Sequence, residues 1–202
     1  MTESPLVDEF SARWTSLTGT VRDGRGTDIR TALREVLSNL CPDAGPVLIF
    51  EEPGFPIPEM PEWFRGFGYE PILVRAGAEG PVDADGHRWE RTALKAAAAR
   101  AALGVSTGAW AVAHTGSVAV YGDRDHGTWP SLLPPAHLIL LHTDDIFATL
   151  GEGLGRLQNE PGGIPPEVKL ITGPSSTGDI EGQPVIGVHG PARVGVLLLQ
   201  RT

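Results

Sequence analysis

Short apolar runs alternate along this chain with stretches of helical spacing, and this alternation restricts the possible folds more than any other feature. The runs at 46–50, 138–141, 168–172 and 194–199 are rich in Val, Ile and Leu, as expected of strands that are covered on both faces. Further strands are predicted at 70–74 and 185–188. Strands that alternate with helices predict an α/β fold with a mostly parallel sheet and flanking helices.

Two amphipathic helices are predicted before the first strand. They form a helical preface over residues 1–45 and are separated by a glycine-containing break at 19–26. A third, alanine-rich helix is predicted over 92–103. A fourth is predicted to begin at the capping residues Thr143 and Asp144.

A β-hairpin is predicted within the second half of the chain. The short runs at 109–114 and 117–121 flank a Thr-Gly pair, which is typical of a hairpin turn. At 202 residues, of which 41% are hydrophobic and 20% charged, the chain suits a single domain over 1–202 that needs no disulfide or metal to fold. Any small-molecule site is expected between Thr107 and Pro191.

Charge and cysteine content exclude several classes of function. A net charge of −9 argues against a nucleic-acid partner and against an anionic membrane surface. The single cysteine, Cys41, excludes an internal disulfide, a cysteine-ligated zinc site and an iron–sulfur cluster within the chain. No signal peptide, membrane span or dinucleotide fingerprint is recognisable, so a cytoplasmic protein without a bound cofactor is expected.

The strongest candidate site is a glycine- and hydroxyl-rich loop that follows a predicted strand. Ligands of open α/β sheets bind at the carboxyl ends of strands. Backbone N–H groups after Gly173, together with the hydroxyls of Ser175, Ser176 and Thr177, are suited to hold a phosphate or a carboxylate, more so if a helix begins at Asp179. The alternative is a polar strand-to-helix turn with a capping aspartate. The loop is neither a Walker A motif nor a nucleophile elbow.

Two other segments supply candidate residues. His189, which precedes Gly190 at a predicted strand end, would point its ring into the same carboxyl-end crevice and exchange protons near neutral pH. A histidine that satisfies turn carbonyls is the alternative. The hairpin tip offers ligand-type groups on the residues His114, Thr115, Gly116 and Ser117.

A metal site is not predicted. His114, His189, Asp179 and Glu181 have suitable ligand chemistry, but no spacing ties two of them to one helix. The candidate residues are therefore interpreted as an anion or small-molecule site rather than a metal centre.

The succession of motifs over about 103–200 resembles the LUD domain family, named for lactate utilization. The motifs are 113–118, 131–135 with His137, 171–181 and 187–191. The resemblance implies a fold like that of glucosamine-phosphate isomerase, ribose-phosphate isomerase and the CoA-transferases. It also implies a part in a multi-protein system that oxidises L-lactate to pyruvate together with iron–sulfur partner proteins.

The chain departs from the family pattern at three of these positions. It carries His114 in place of Glu, Ser117 in place of Thr and Ser176 in place of Arg, so an anion at the loop would depend on backbone N–H groups and hydroxyls. One alternative function is a stand-alone isomerase or transferase acting on a phosphorylated or carboxylated metabolite, with His189 as acid/base and Asp179 as its orienter. Another is a ligand-binding module without chemistry.

Overall fold

A six-stranded sheet, parallel throughout, forms the centre of the fold, in the order β1-β12-β7-β4-β2-β3. The computed structural model describes residues 4–51, 55–75, 81–122, 128–161, 163–178, 184–187 and 189–201. Its strands are β1 (Thr20–Asp23), β2 (Pro46–Glu51), β3 (Glu70–Arg75), β4 (Leu103–Gly108), β5 (Trp110–Val112), β6 (Ser117–Gly122), β7 (Ala136–His142), β8 (Ile146–Phe147), β9 (Glu167–Ile171), β10 (Ser176–Gly178), β11 (Pro184–Ile186) and β12 (Arg193–Leu199). The predicted α/β class with a mostly parallel sheet is confirmed.

The helices cover both faces of this sheet. They are α1 (Pro5–Ser16), α2 (Ile29–Leu40), α3 (Met60–Gly66), α4 (Arg91–Arg100) and α5 (Leu150–Leu157). Leu33 and Leu37 of α2 share one core cluster with Leu138 of β7, because the apolar positions of α2 recur at helical spacing. Of the described helices, none has the length and apolarity required to cross a membrane.

A smaller sheet lies over the other face, in the order β8-β5-β6-β9. Phe10 and Trp14 of α1 share a core cluster with residues of both sheets, including Val118 of β6 and Val196 of β12. The predicted hairpin is confirmed, since β5 and β6 pair antiparallel. The run at 168–172 does form a strand, β9, but it pairs antiparallel with β6 and does not join the parallel sheet.

Two strands, β1 and β4, lie in segments for which the sequence did not predict a strand. The break at 19–26 contains β1, which pairs parallel with β12 at the edge of the sheet, so the helical preface also carries a strand. β4, between β2 and β7, occupies 103–108, where the predicted third helix was expected to end; the helix ends at Arg100 instead. Gly104 weakens the strand pattern of β4 in the sequence. Glycine is required at this position because a Cβ would lie 2.1 Å from the Pro130 carbonyl oxygen.

The predicted fourth helix begins later than Thr143. Residues Thr143–Asp145 form a single 3-10 turn, and β8 follows and pairs with β5. The helix α5 starts at Leu150 because Thr149 and Glu152 form a capping box. The backbone N–H of Glu152 donates to the Thr149 hydroxyl, and the backbone N–H of Thr149 donates to the Glu152 carboxylate. Asp145 thus lies in the 3-10 turn that follows β7, and Arg156 lies in the last turn of α5.

Candidate functional site

A cleft of about 250 Å³ opens where the central strands end. β4 ends at Gly108, β7 at His142 and β12 at Leu199, and the parallel pairing of these strands sets their carboxyl ends side by side. We call this space the carboxyl-end cleft. Its polar and charged lining includes Thr107, His142, Asp145, Arg156, Glu160 and Arg201.

A chain of ion pairs crosses this cleft. Asp145 accepts from Nη1 of Arg156 at 3.5 Å and from Nη2 of Arg201. Nε of Arg156 donates to Oε1 of Glu160 at 3.2 Å, and the hydroxyl of Tyr121 donates to the same oxygen at 2.8 Å. The five partners come from five segments: the 3-10 turn, α5, the residues after α5, the residues after β12, and β6.

A hydrogen bond from Trp110 fixes the position of Tyr121 in this network. Nε1 of the buried Trp110 donates to the Tyr121 hydroxyl at 2.9 Å. Burial, and then the hydrogen bond to the Glu160 carboxylate, raise the pKa of Tyr121, so its hydroxyl stays protonated and serves as a donor. Tyr121 and Arg156 thereby hold Glu160 through the same oxygen, Oε1.

The cations of the cleft are accessible and the anions are not. The side chains of Arg156 and Arg201 are 37% and 54% exposed, whereas those of Asp145 and Glu160 are 8% and 14% exposed. The carboxylates hold the guanidinium groups through these ion pairs, and the guanidinium groups are more accessible to a ligand than the carboxylates are. Guanidinium N–H donors match the geometry of a carboxylate or phosphate.

Two polar atoms of the cleft have no partner among the described residues. They are Oγ1 of Thr107 and Nδ1 of His142, both buried. Burial, and then the charge of Arg201, lower the pKa of His142, so its imidazole is neutral at pH 7. A neutral imidazole retains both a donor and an acceptor nitrogen.

Two of the sequence-predicted residues, His189 and Gly190, lie at the opposite end of the parallel sheet. His189 and Gly190 precede β12, whose first residue pairs with Ala136 at the start of β7, so they lie at the amino ends of these strands. The expectation that His189 faces the carboxyl-end crevice is therefore not met. His189 and Gly190 line a cleft of about 530 Å³, the amino-end cleft, together with Leu132, Leu133 and Pro135.

The loop at 173–179 adjoins this amino-end cleft in part. The N–H of Ser175 donates to the Pro191 carbonyl at 3.0 Å, so that N–H is already bonded. Ser176 and Thr177 belong to β10, which pairs antiparallel with β11, rather than to a turn. Asp179, and any helix that starts there, lies outside the described residues. The order of predicted strand and loop therefore holds, but the strand before the loop is β9 of the smaller sheet.

The hairpin tip packs against α1. Nε of Arg13 donates to the His114 carbonyl at 3.1 Å, and the Gly116 backbone has a positive φ of 64°. The hydroxyl of Ser117 accepts from Thr115 at 2.8 Å and lies 2.8 Å from the Thr172 hydroxyl. These three hydroxyls bond to one another and link the tip to the residue before Gly173.

Two residues beside the hairpin tip, Gly173 and His114, also lie close to residues of α1 or to the residue after it. Gly173 has a positive φ of 81°, and a Cβ there would lie 2.9 Å from the Leu17 carbonyl oxygen. Nδ1 of His114 lies 3.7 Å from a carboxylate oxygen of Glu9 on α1. The structure thus brings His114, Ser117 and Gly173 near the end of α1, and Ser175 near Gly190, but none of them lines the carboxyl-end cleft.

One group of residues has ligand atoms close enough for a metal ion. The ligand atoms of Asp83, Asp85 and His87 lie within 4.8 Å of one another. The Asp83 carboxylate already accepts the backbone N–H groups of Asp85 and His87 at 2.9 Å, which is the bonding of a tight turn. The sequence singled out none of these residues, and the group includes neither His114 nor His189.

Sequence reasoning missed the arginines of the carboxyl-end cleft. The rule that ligands bind at strand carboxyl ends points to the residues after 138–141 and 194–199, which include His142 and Arg201. Arg156 has no such signal, because it reaches the cleft through the position of α5. Only the packing of α5 on β5 and β8 brings it there.

Comparison with known proteins places these features in context. The model of the LUD domain matches residues 67–199. The chain is 24% identical to lactate utilization protein C of Anoxybacillus flavithermus over 200 residues, 98% of this chain and 81% of the relative. It is 30% identical to lactate utilization protein C of Bacillus subtilis over 179 residues, 86% of this chain and 69% of the relative.

A solved structure has the same fold. The crystal structure of a DUF162 family protein from Deinococcus radiodurans matches this chain with a TM-score of 0.57 at 17% identity. The match covers 96% of this chain and 95% of that one. At this level of identity the match establishes the architecture of the chain and nothing about its ligand.

Proposed function

Since this chain belongs to the LUD domain family, we propose that it takes part in lactate utilization and binds a small carboxylate in the carboxyl-end cleft. Two relatives that match most of the chain are named for lactate utilization. Lactate and pyruvate are small carboxylates, so a protein of such a system that handles either one needs a site for that group.

One observation carries this proposal: two guanidinium groups line one cleft and are more exposed than the two carboxylates that they contact. Each hydrogen bond between a guanidinium and a carboxylate contributes about 1.5–3 kcal/mol, because the partners are charged. Arg156 and Arg201 together offer enough donors to bind both oxygens of a ligand carboxylate while keeping their bonds to Asp145.

The size of the cleft supports a small ligand. Its volume of about 250 Å³ lies below the range of about 300–1,000 Å³ that is usual for drug-sized molecules. Asp145 acts here as a positioning residue, since it contacts both guanidinium groups from the buried side.

The finer part of the proposal concerns partners. We propose that the protein acts beside iron–sulfur partner proteins, as the family resemblance implies. A cluster needs several cysteine thiolates and this chain has only Cys41, which is buried, so the partners would carry the clusters. The isolated chain is then expected not to oxidise L-lactate. Turnover of L-lactate by the purified chain with an artificial electron acceptor would overturn this part.

The carboxylate site is tested by calorimetric titration of the purified protein with L-lactate and with pyruvate. The variants Arg156→Gln and Arg201→Gln are expected to bind at least about tenfold more weakly, which corresponds to the loss of one charged hydrogen bond. The control is Arg100→Gln, which removes the same charge from an exposed position on α4, outside the cleft. Equal affinity in all four proteins would contradict the proposed site.

A second candidate site is the amino-end cleft, favoured by its larger volume of about 530 Å³ and by His189 in its lining. There His189 would exchange protons with a phosphorylated or carboxylated metabolite, with Asp179 as its orienter and the segment from Gly173 to Thr177 as anion cradle. In that case His189→Ala would abolish binding or turnover, while Arg156→Gln would leave both unchanged.

A further inference from the structure

We infer that Thr107 and His142 recognise the oxygen on the carbon next to the bound carboxylate, so that the carboxyl-end cleft selects 2-hydroxy and 2-oxo carboxylates over unsubstituted ones. This inference rests on the proposed carboxylate site and adds the feature that distinguishes one small acid from another. It assigns specificity to Thr107 and His142, whose Oγ1 and Nδ1 atoms form no hydrogen bond among the described residues.

The unpaired atoms are the first argument. A buried polar atom without a partner costs about 1–3 kcal/mol, so folded proteins seldom contain one without a reason. Four such atoms occur among the described residues, on Arg22, Thr107, His137 and His142, and two of these residues, Thr107 and His142, line this one cleft. Of the other two, Nε of Arg22 has the Glu35 carboxylate beside it.

Strand register is the second argument. Thr107 on β4 pairs with Leu140 on β7, and His142 lies two positions beyond Leu140. Because side chains alternate between the faces of a strand, Thr107 and His142 project from the same face at neighbouring strand ends. His142 in turn pairs with Leu199 of β12, which lies two positions before Arg201.

The register therefore orders three functional groups across the ends of β4, β7 and β12. A hydroxyl comes first, an imidazole second and a guanidinium third. In the complex that we infer, a carboxylate bound to the arginines would have its neighbouring carbon next to the imidazole and the hydroxyl. A 2-hydroxy or 2-oxo carboxylate has its carboxylate oxygens at one end and a hydroxyl or keto oxygen on the next carbon. These oxygens match the guanidinium groups and the imidazole–hydroxyl pair, respectively.

The protonation state of the imidazole fits either class of ligand. Burial and the charge of Arg201 lower the pKa of His142, against the opposing effect of Asp144 and Asp145. A neutral imidazole and a hydroxyl can each donate to a keto oxygen or accept from a hydroxyl. An unsubstituted acid leaves both groups unpaired, which is the basis of the expected discrimination.

The test compares L-lactate, pyruvate and propionate by calorimetric titration. The wild type is expected to bind lactate or pyruvate at least about tenfold more tightly than propionate. Thr107→Val, which removes the hydroxyl and keeps the shape, is expected to reduce this ratio by weakening the binding of lactate and pyruvate more than that of propionate. Thr107→Ser is expected to keep the ratio, and Thr20→Val on β1 serves as a strand control.

The outcomes separate this inference from the proposed function. Propionate binding as tight as lactate binding in the wild type, with both lost in Arg156→Gln, overturns the specificity and leaves the carboxylate site intact. Weakening of all three ligands alike in Thr107→Val assigns that residue a structural role and also overturns the inference. If Thr107→Val does not fold, as judged by circular dichroism, His142→Phe provides the same comparison. Absence of binding by any of the three acids overturns the site itself.

Discussion

The hydroxyl oxygen of Ser106 lies 2.7 Å from Nε2 of His137, and the two side chains form a buried polar pair between β4 and β7. His137 is fully buried, and its Nδ1 has no partner among the described residues. Burial, and then the charge of Lys169, lower the pKa of His137 to about 3. The imidazole therefore stays neutral in the folded protein throughout the pH range in which histidine normally titrates.

The His137 pair predicts a loss of stability in mild acid. Below pH 6.5 the unfolded chain protonates His137 but the folded protein does not, so the free energy of unfolding falls as pH falls. From the folded pKa of about 3, His137 alone lowers stability by about 2 kcal/mol at pH 5. Urea denaturation at pH 7.5 and pH 5 measures this. His137→Gln should lose less stability between these pH values than the wild type, whereas His87→Gln, at an exposed position, should lose as much.

Alanine substitution at two glycines of α5 is expected to change the stability of the protein in opposite directions. A Cβ at Gly153 would lie 2.5 Å from the ring of the buried Trp110, so Gly153→Ala forces the ring to move and should destabilise the protein by about 1–3 kcal/mol. A Cβ at Gly155 meets nothing within 4 Å, and Gly155→Ala should stabilise the protein by up to about 1 kcal/mol through helix propensity. Thermal unfolding distinguishes them, and a shift of the same sign in both variants would contradict this packing.

The hairpin tip predicts a structural effect without an effect on ligand binding. Ser117→Ala removes the hydroxyl that links Thr115 and Thr172, and it should cost about 1–2 kcal/mol of stability. If the ligand lies in the carboxyl-end cleft, the affinity for L-lactate should stay within about twofold of the wild type. Loss of lactate binding in a folded Ser117→Ala protein would favour the hairpin tip as the ligand site.

Selectivity between lactate and propionate should be independent of pH near neutrality. The pKa of His142 is lowered from 6.5 by burial and by Arg201, while Asp144 and Asp145 act in the opposite direction. The imidazole is thus mostly neutral at pH 8 and at pH 7, and the ratio of the two affinities should not change in this interval. Titrations at both pH values check this, and a ratio that changes with a midpoint near 6.5 would place His142 in an ordinary, solvated environment.

The sequence alone determined the class of the fold and most of its elements. Apolar runs identified β2, β7 and β12 as buried strands, and helical spacing identified α1 and α2, because both signals depend on local burial. The family was also recognisable from four motifs over about 103–200, in agreement with the match at 67–199. β4 escaped detection because glycine, a poor strand former, occupies position 104, where the close Pro130 backbone leaves no room for a side chain.

The tertiary structure alone decided which groups meet at each end of the sheet. Sequence order placed a strand before the loop at 173–179, but only long-range pairing assigned that strand to the smaller sheet. In the same way, Arg156 reaches Asp145 because α5 packs on β5 and β8, and no local pattern encodes that contact. Periodicity reports whether a side chain is buried, whereas strand pairing and helix packing depend on contacts between distant residues, and those contacts position the arginines, Thr107 and His142 around one cleft.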